Sequence, residues 1–209
     1  MHATRAQNLK WRLGFDNSFG VSSDGLSGGL VLFWNNDVNV VLKSFYKSHI
    51  DVMVTCEATG GKAWRFTGFY GDPKRDQRKE SWKRLRFLRC QYDTPWLCAG
   101  DFNEILCAGE HFGGKDREEW TMEGFRNVVD DYHFTDLGYS GLPFTWDNRQ
   151  SGANNVKVRL DRALGDGEFL NFFDATSVRH IQTTETNHCA LLISVACSEI
   201  GQATRLGVL

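Results

Sequence analysis

The stretch PWLCAGDFNEIL, residues 95–106, joins a short apolar run to a group of polar residues. Residues 95–99 predict a buried strand, and Gly100-Asp101-Phe102-Asn103 follows directly at its end. A strand in this position delivers the Asp101 carboxylate and the Asn103 amide to the rim of a sheet. The stretch therefore predicts a sheet-based fold with polar residues at one edge.

Short strand-like runs separated by turn residues extend on both sides of this stretch. They cover residues 29–34, 38–45, 50–56 and 64–70 before it, and residues 145–146, 156–164, 177–181 and 190–195 after it. Two amphipathic stretches, at about residues 75–89 and 118–132, predict helices. Because the helices segregate rather than alternate with the strands, the pattern favours either an α+β fold or a layered β-sandwich flanked by helices.

Composition narrows the class of protein. The chain has 209 residues, of which 41% are hydrophobic, and this excludes global disorder and suits one large domain. The sequence shows neither the apolar length of a membrane span nor the apolar region of a secretory signal, so we expect an intracellular protein. The six cysteines form no C-x-x-C pair, which argues against a zinc ribbon or a disulfide scaffold.

Charge is unevenly distributed along the chain. Residues 74–89 hold eight basic and two acidic side chains, whereas residues 101–136 hold ten acidic and three basic ones. The predicted helix from Lys74 to Arg89 therefore has a basic outer face that suits a polyanion such as DNA. Solvation of an exposed helix is a simpler interpretation of the same residues, and both interpretations stay open.

Polar residues also follow three other apolar runs: Tyr70 in FYGDP, Asp161 in RLDR and His188 in TNH. Each is weak evidence by itself, because Gly-Asp turns, ion pairs and hydrogen-bonded histidines are common structural features. Together, a phenol, two carboxylates, an amide and an imidazole suit phosphodiester hydrolysis. In that reaction one Asp activates water, Asn and Tyr hold phosphate oxygens, and a His polarised by the second Asp stabilises charge. A divalent metal would complete such a site.

The order of these motifs resembles that of the endonuclease/exonuclease/phosphatase superfamily. The likeness rests on the Y-x-D-P turn at Tyr70, the GDFN block, the Thr145-Trp146 pair, the R-x-D block that ends at Asp161 and the x-x-H block at His188. It extends over about residues 8–195. Within the superfamily, LGFDNSFGVSSDGLSGGLVLFW and DLGYSGLPFTWDNR look most like the apurinic-type endonuclease domain of plant LINE (non-LTR) retrotransposons.

This resemblance implies a fold, an activity and a set of site residues. The fold is a four-layer α/β sandwich of two facing mixed β-sheets flanked by helices, spanning residues 1–197, with a poorly ordered tail at residues 198–209. The activity is DNA nicking with Mg²⁺ or Mn²⁺, in the nucleus when functional. The implied catalytic residues are Asp101, His188, Asp161, Asn103 and Tyr70. We expect them to converge at one end of the two sheets.

Two departures from the family pattern concern the metal site. The chain begins with what looks like the helix that follows the family's metal-binding Glu, so we expect an N-terminally truncated domain that lacks its first strands. Asn187 stands where the family has a metal-assisting Asp, and an amide attracts a cation less than a carboxylate. The sequence therefore predicts impaired nicking. The alternative is a non-catalytic retrotransposon remnant or a nucleic-acid-binding relic of the fold.

Two other enzyme types fit the residues less well. Ser27 lies in GLSGG and forms a hydrolase-like order with Asp161 and His188, but a strand rather than a helix follows it. Cys189 adjoins His188, and neighbouring side chains on a strand point to opposite faces. No protein partner is evident, and the motifs leave open whether the substrate is DNA or another phosphoester.

Overall fold

The computed structural model describes residues 10–22, 29–197 and 203–208. The helices are α1 (Lys10–Leu13), α2 (Arg78–Arg89), α3 (Glu119–Asp131) and α4 (Gly167–Phe172). The strands are β1 (Asn17–Val21), β2 (Leu30–Trp34), β3 (Val38–Tyr46), β4 (His49–Cys56), β5 (Trp64–Tyr70), β6 (Trp96–Asp101), β7 (His111–Phe112), β8 (Thr135–Asp136), β9 (Ser140–Gly141), β10 (Trp146–Asp147), β11 (Lys157–Val158), β12 (Asp161–Gly165), β13 (Ser177–Ile181), β14 (Ala190–Ala196) and β15 (Ala203–Val208).

Two mixed sheets form the body of the fold. The larger has the strand order β3-β4-β5-β6-β12-β8, in which only β5 and β6 run parallel. The smaller has the order β15-β14-β13-β9, in which β13 and β9 run parallel. Strands β1 and β2 form a hairpin sheet, and β10, β11 and β7 form a small three-stranded sheet beside the site described below.

Strand β6 shows why the two sheets and the helices form layers. Leu97 and Ala99 pack into the core between the sheets, with Val178 and Ile193 of the smaller sheet. The alternate residues Trp96 and Cys98 belong to a second core, on the other face of the larger sheet. Because side chains alternate along a strand, a run that is apolar throughout must be covered on both faces.

Helices α2 and α3 cover the outer face of the larger sheet. Trp82, Leu85 and Leu88 of α2 pack with Phe125 and Val128 of α3 in the second core. The rings of Trp82 and Phe125 stack with their centres 4.7 Å apart. The predicted fold class, a mixed α/β sandwich of facing mixed sheets with helices outside, is confirmed.

A buried ion pair ties the helix layer to the sheet. The Arg65 guanidinium donates to both carboxylate oxygens of Asp51, at 2.8 and 3.0 Å, and to the carbonyl oxygen of Leu88 at the end of α2, at 2.7 Å. Thr67 donates to Asp51 at 2.6 Å, and the Trp96 indole donates to Thr67 at 2.8 Å. Both charged side chains are fully buried. Their charges are tolerated because almost every polar atom has a partner.

The longer elements lie where the sequence places them, with shifts at their ends. The basic helix begins at Arg78 rather than near Arg75, because residues Arg75–Gln77 form a 3-10 turn. The predicted strand at residues 156–164 is two strands, β11 and β12. None of the six cysteines, all of which lie within the described residues, forms a disulfide. Among the helices in the described residues, none is long and apolar enough to cross a membrane.

Two sequence-based expectations concern the C-terminal residues and Ser27. The expected poorly ordered tail, residues 198–209, contains β15, which pairs antiparallel with β14 along its length. This pairing gives hydrogen-bond partners to backbone groups of β14 that would otherwise be unpaired at the edge of the sheet. Residues 198–202 and residue 209 lie outside the described residues, as does Ser27, the serine of the hydrolase alternative.

Replacing Asp51 by Ala should strongly destabilise the fold, because it leaves the Arg65 charge buried without its carboxylate. We expect a loss of about 3–5 kcal/mol in the free energy of unfolding, measured by urea denaturation. The matched control is Asp37→Ala at an exposed aspartate, which should change stability by less than about 0.5 kcal/mol. Equal stability of the two variants would contradict this account of the ion pair.

Candidate active site

The register of three strands brings the first site residues together. Strands β6 and β12 pair antiparallel with Asp101 directly opposite Asp161. Strands β5 and β6 pair in parallel with Tyr70 opposite Asp101. The three polar side chains therefore meet where β5 and β6 end and β12 begins.

His188 joins this group from the segment that leads into β14 of the smaller sheet. Its Nδ1 lies 2.9 Å from Oδ2 of Asp161, and one ligand atom each from Asp101, Asp161 and His188 lies within 4.8 Å of the others. Two backbone contacts hold the His188 segment in place: a β-bridge to Trp146, and a hydrogen bond from the Cys189 amide to the Thr145 carbonyl oxygen at 2.7 Å. One phosphate group can therefore reach all three side chains.

Asn103 lies against Asp101 in a left-handed backbone conformation, with φ of 56°. Its backbone N–H donates to Oδ1 of Asp101 at 2.8 Å. Its side-chain amide donates to Oδ2 of Asp101 at 3.0 Å and to the Gly71 carbonyl oxygen at 2.9 Å. Both partners are acceptors, so the amide nitrogen must face them. In this arrangement Asn103 fixes the orientation of Asp101.

Gly71 allows the two strand ends to approach closely. Its N–H donates to the Asp101 carbonyl oxygen at 2.7 Å, and a Cβ at this position would collide with the Phe102 carbonyl. A side chain here would push Tyr70 away from Asp101. The glycine in FYGDP is thus a packing requirement of the site.

Electrostatics at the site reflect two neighbouring carboxylates. Burial, followed by the charge of Asp161, raises the pKa of Asp101 to about 7. Burial and then Asp101 also raise the pKa of the Tyr70 phenol. For His188, burial opposes protonation, but the hydrogen bond and charge of Asp161 outweigh it and hold the pKa above its usual value. The contact with Asp161 therefore favours the protonated form of the His188 imidazole.

Two arginines flank Asp161 in sequence but pair with other carboxylates. The Arg159 guanidinium binds Glu110 at 2.9 Å and Asp136 at 2.8 Å. Arg162 binds the same two carboxylates, both at 2.8 Å. This closed network neutralises the arginines and leaves the Asp161 carboxylate to His188.

Thr145 holds the start of β12 from the other side. Its hydroxyl oxygen accepts the backbone N–H groups of Leu160 and Asp161, each at 2.9 Å, and the residue is buried. Sequence reasoning identified Thr145 only as part of a motif. Because its carbonyl oxygen also accepts the Cys189 amide, Thr145 links the backbones of Asp161 and His188.

Two open cavities meet at His188. One, of about 520 Å³, is lined by Tyr70, Asp101, Asp161 and His188. The other, of about 780 Å³, lies on the far side of His188, against Trp146, Arg149, Lys157 and Asn187. The first exposes the acidic cluster to a ligand, and the second offers aromatic and basic side chains beside it.

The structure brings Tyr70, Asp101, Asn103, Asp161 and His188 together as the sequence pattern predicts. Asn187, the candidate metal residue, is exposed and lines the second cavity rather than the first. In the basic helix, Arg78 pairs with the buried Glu104, and Arg86 pairs with Asp131 of α3 at 3.0 Å. These two arginines of the predicted DNA-binding face therefore form ion pairs within the chain.

Two facing sheets carry the acidic cluster at one end, and the family match given next supports a domain of the nuclease or phosphodiesterase type. Residues 2–182 match the model of the "Endonuclease/Exonuclease/phosphatase family", and the chain belongs to that family. Members of the family are generally dependent on divalent metals. No curated protein sequence matches the chain.

Three solved structures illustrate the similarity of this fold to known ones. The endonuclease domain of TRAS1, a telomere-specific non-LTR retrotransposon, has a TM-score of 0.65 at 14% identity, covering 87% of this chain and 80% of that one. The 3′ phosphatase NExo from Neisseria, bound to a product DNA hairpin, has a TM-score of 0.62 at 14% identity, with coverages of 90% and 82%. The Xenopus laevis APE2 catalytic domain has a TM-score of 0.51 at 15% identity, with coverages of 92% and 76%.

Replacing Asp101 by Asn should flatten part of the pH dependence of stability, measured by urea unfolding between pH 4 and pH 8 in EDTA. The folded-state pKa of Asp101, about 7, exceeds its ordinary value of 3.8, so the folded chain binds this proton more tightly than the unfolded chain does. Its stabilising effect is complete below pH 3.8 and is lost as pH rises through about 7.

The variant lacks that loss, so its stability relative to the parent chain should increase from pH 4 to pH 8. The control is Asp130→Asn, at an exposed aspartate of α3, whose curve should run parallel to that of the parent chain. A parallel curve for Asp101→Asn would show that folding does not raise the pKa of Asp101.

Proposed function

We propose that this chain nicks DNA by metal-assisted hydrolysis of a phosphodiester bond. The observation that carries the proposal is the cluster of Asp101, Asp161 and His188, open to a cavity that Tyr70 also lines. The substrate assignment is supported by the neighbouring Trp146 and Arg149, whose aromatic and positively charged groups suit a nucleic acid, whereas Lys157 is paired with Asp147 at 3.3 Å.

Asp101 is the proposed acceptor of the proton from the attacking water. Its raised pKa makes it a stronger base than an ordinary aspartate, and Asn103 holds it in one orientation. Tyr70 presents its phenol beside Asp101, where it can donate to a phosphate oxygen. The protonated His188, held by Asp161, stabilises negative charge on the phosphate as the bond breaks.

The residues present fit a divalent cation. Two carboxylates lie side by side in a partly buried site, with His188 as their neutralising partner, and this donor set suits Mg²⁺ or Mn²⁺. Oδ1 of Asp161, the oxygen that His188 does not contact, would hold the ion beside Asp101, which remains the proton acceptor. When bound, the ion neutralises developing charge on the phosphate oxygens. Asn187 beside His188 offers an amide rather than a carboxylate, which is consistent with weak metal binding and slow nicking.

The chain's lineage and boundaries are part of this proposal. The motifs quoted from residues 13–34 and 136–149, together with the TRAS1-like fold, support an origin in a non-LTR retrotransposon of the plant LINE type. Residues 1–197 would form one catalytic domain, acting in the nucleus. A non-catalytic nucleic-acid-binding role is the second candidate, and Asn187 is the observation that favours it.

Supercoiled-plasmid nicking in Mg²⁺ or Mn²⁺ tests the proposal. We expect slow nicking that requires the metal and that falls at least about a hundredfold in Asp101→Asn, because the proton acceptor is lost. The control Asp130→Asn should nick at the parent rate. Metal-dependent nicking that survives Asp101→Asn would reject the site, and tight DNA binding with no nicking would favour the second candidate.

The Asn187→Asp variant tests whether the lack of negative charge at position 187, in the neighbouring cavity, weakens metal binding at the acidic cluster. The added carboxylate should tighten Mn²⁺ binding severalfold, measured by electron paramagnetic resonance of free Mn²⁺, because it adds negative charge beside His188. We expect only a small gain in nicking, since the proton-transfer groups are unchanged. The control Asn154→Asp lies at an exposed position between β10 and β11 and should not alter Mn²⁺ binding. Equal Mn²⁺ affinity of Asn187→Asp and the parent chain would contradict the assignment.

A further inference from the structure

A second groove adjoins Tyr70 on the side away from His188. It lies between the turn that joins β3 to β4 and helix α2, and its volume is about 500 Å³. Its lining includes Tyr46, Lys47, Tyr70, Arg84 and Phe87. Tyr70 lines both this groove and the cavity of the acidic cluster. A strand whose phosphate lies at Tyr70 can therefore continue into the groove.

The groove carries an excess of positive charge. Within the described part of the chain, neither Lys47 nor Arg84 has a carboxylate within ion-pair distance. Of the other charged groups on the lining, Lys83 pairs with Glu80 at 2.9 Å, whereas Asp72 keeps its negative charge while it accepts the Lys74 amide at 2.9 Å, so the lining has one more positive than negative side chain. Lys47 and Arg84 are thus free to bind anions.

Two aromatic rings border these free cations. Tyr46 and Phe87 are 49% and 54% exposed, which is a large area for rings of this size to leave in water. The Arg84 guanidinium lies 5.0 Å from the centre of the Tyr46 ring and 5.7 Å from that of Phe87. Such a combination of exposed rings and cations binds unpaired nucleotides, whose bases can stack on aromatic side chains, whereas bases within a duplex are already stacked.

We propose that this groove binds an unpaired stretch of DNA next to the bond that is cut. Bases stack on Tyr46 and Phe87, and phosphates contact Lys47 and Arg84. The inference rests on the proposed function and narrows its substrate class. The preferred substrate is DNA with a tail, flap or bubble beside the scissile phosphate rather than an intact duplex.

The test compares three fluorescently labelled ligands by anisotropy in EDTA, so that no cleavage occurs. They are a blunt duplex, the same duplex with a dT tail, and the same duplex with an equally long tail of base-free residues, with the tail placed at the 5′ end in one set and the 3′ end in another. The base-free tail keeps the phosphates and removes the stacking surface. We expect the dT tail, at one of the two ends, to bind about tenfold more tightly than the base-free tail.

Variants of groove residues test whether the preference for the dT tail arises in the groove. The double variant Tyr46→Ala/Phe87→Ala should bind the dT and base-free tails equally. The matched control is Phe45→Ala. Phe45 precedes Tyr46 in β3 and is similarly exposed, but it packs on Phe19 outside the groove. Lys47→Ala should reduce the salt dependence of tail binding by about one phosphate contact, whereas Lys43→Ala, outside the groove, should not. Thermal melting checks that each variant is folded.

Equal binding of dT and base-free tails by the parent chain would overturn the inference, as would a loss of preference in Phe45→Ala equal to that in the double variant. Plasmid nicking, measured separately, distinguishes this result from failure of the proposed function. A parent chain that nicks without preferring the dT tail refutes the groove alone. A chain that prefers the dT tail but never nicks supports the groove and refutes the nuclease proposal.

Discussion

The pairing of β6 with β12 is the constraint on which the site depends. Its register sets Asp101 opposite Asp161, and two like charges opposite each other on neighbouring strands destabilise a sheet. The surrounding side chains offset this repulsion. His188 shares its proton with Asp161, and Asn103 donates two hydrogen bonds to Asp101. The site is thus a locally unfavourable arrangement that the rest of the fold holds in place.

The arginine network keeps the Asp161 carboxylate available to His188. Arg159 and Arg162 lie on either side of Asp161 in sequence, and either of them bound to it would have lowered its capacity to polarise His188. Glu110 and Asp136 hold both arginines instead. Their partners lie 23 to 52 residues away along the chain, so the network also pins β12 to the segments before and after α3.

Sequence reasoning could locate the long elements because their patterns are strong. Strands such as β4 and β5 are seven or eight residues long and rich in apolar, aromatic and β-branched residues, and α2 and α3 have clear helical periodicity. Strands β10 and β11 overlap the predicted runs at residues 145–146 and 156–164, but the two-residue strands β7, β8 and β9 are too short for any pattern, and α4 is a six-residue helix with Phe169 as its buried residue. Their positions follow from tertiary pairing, which one sequence does not display.

The site residues likewise divide into those that the sequence predicts and those that it does not. Tyr70, Asp101, Asn103, Asp161 and His188 belong to recognisable motifs at strand ends, so their proximity could be predicted. The part played by Thr145 could not, because a hydroxyl that accepts two backbone amides has no distinctive sequence pattern. The same holds for Arg78, whose partner Glu104 lies 26 residues away and removes it from the predicted DNA-binding face.

The two-sided burial of β6 also bears on how such a chain decays during evolution. A codon inserted into or deleted from β6 would turn Asp101 away from Asp161. It would also move residues such as Trp96 and Ala99 to the opposite faces of the larger sheet, where each side chain has the wrong size for its surroundings. Fold and chemistry would be lost together. A point substitution at Asp101 removes the chemistry alone. Descendants that survive as folded but inert proteins should therefore carry substitutions at the acidic cluster within strands of unchanged length.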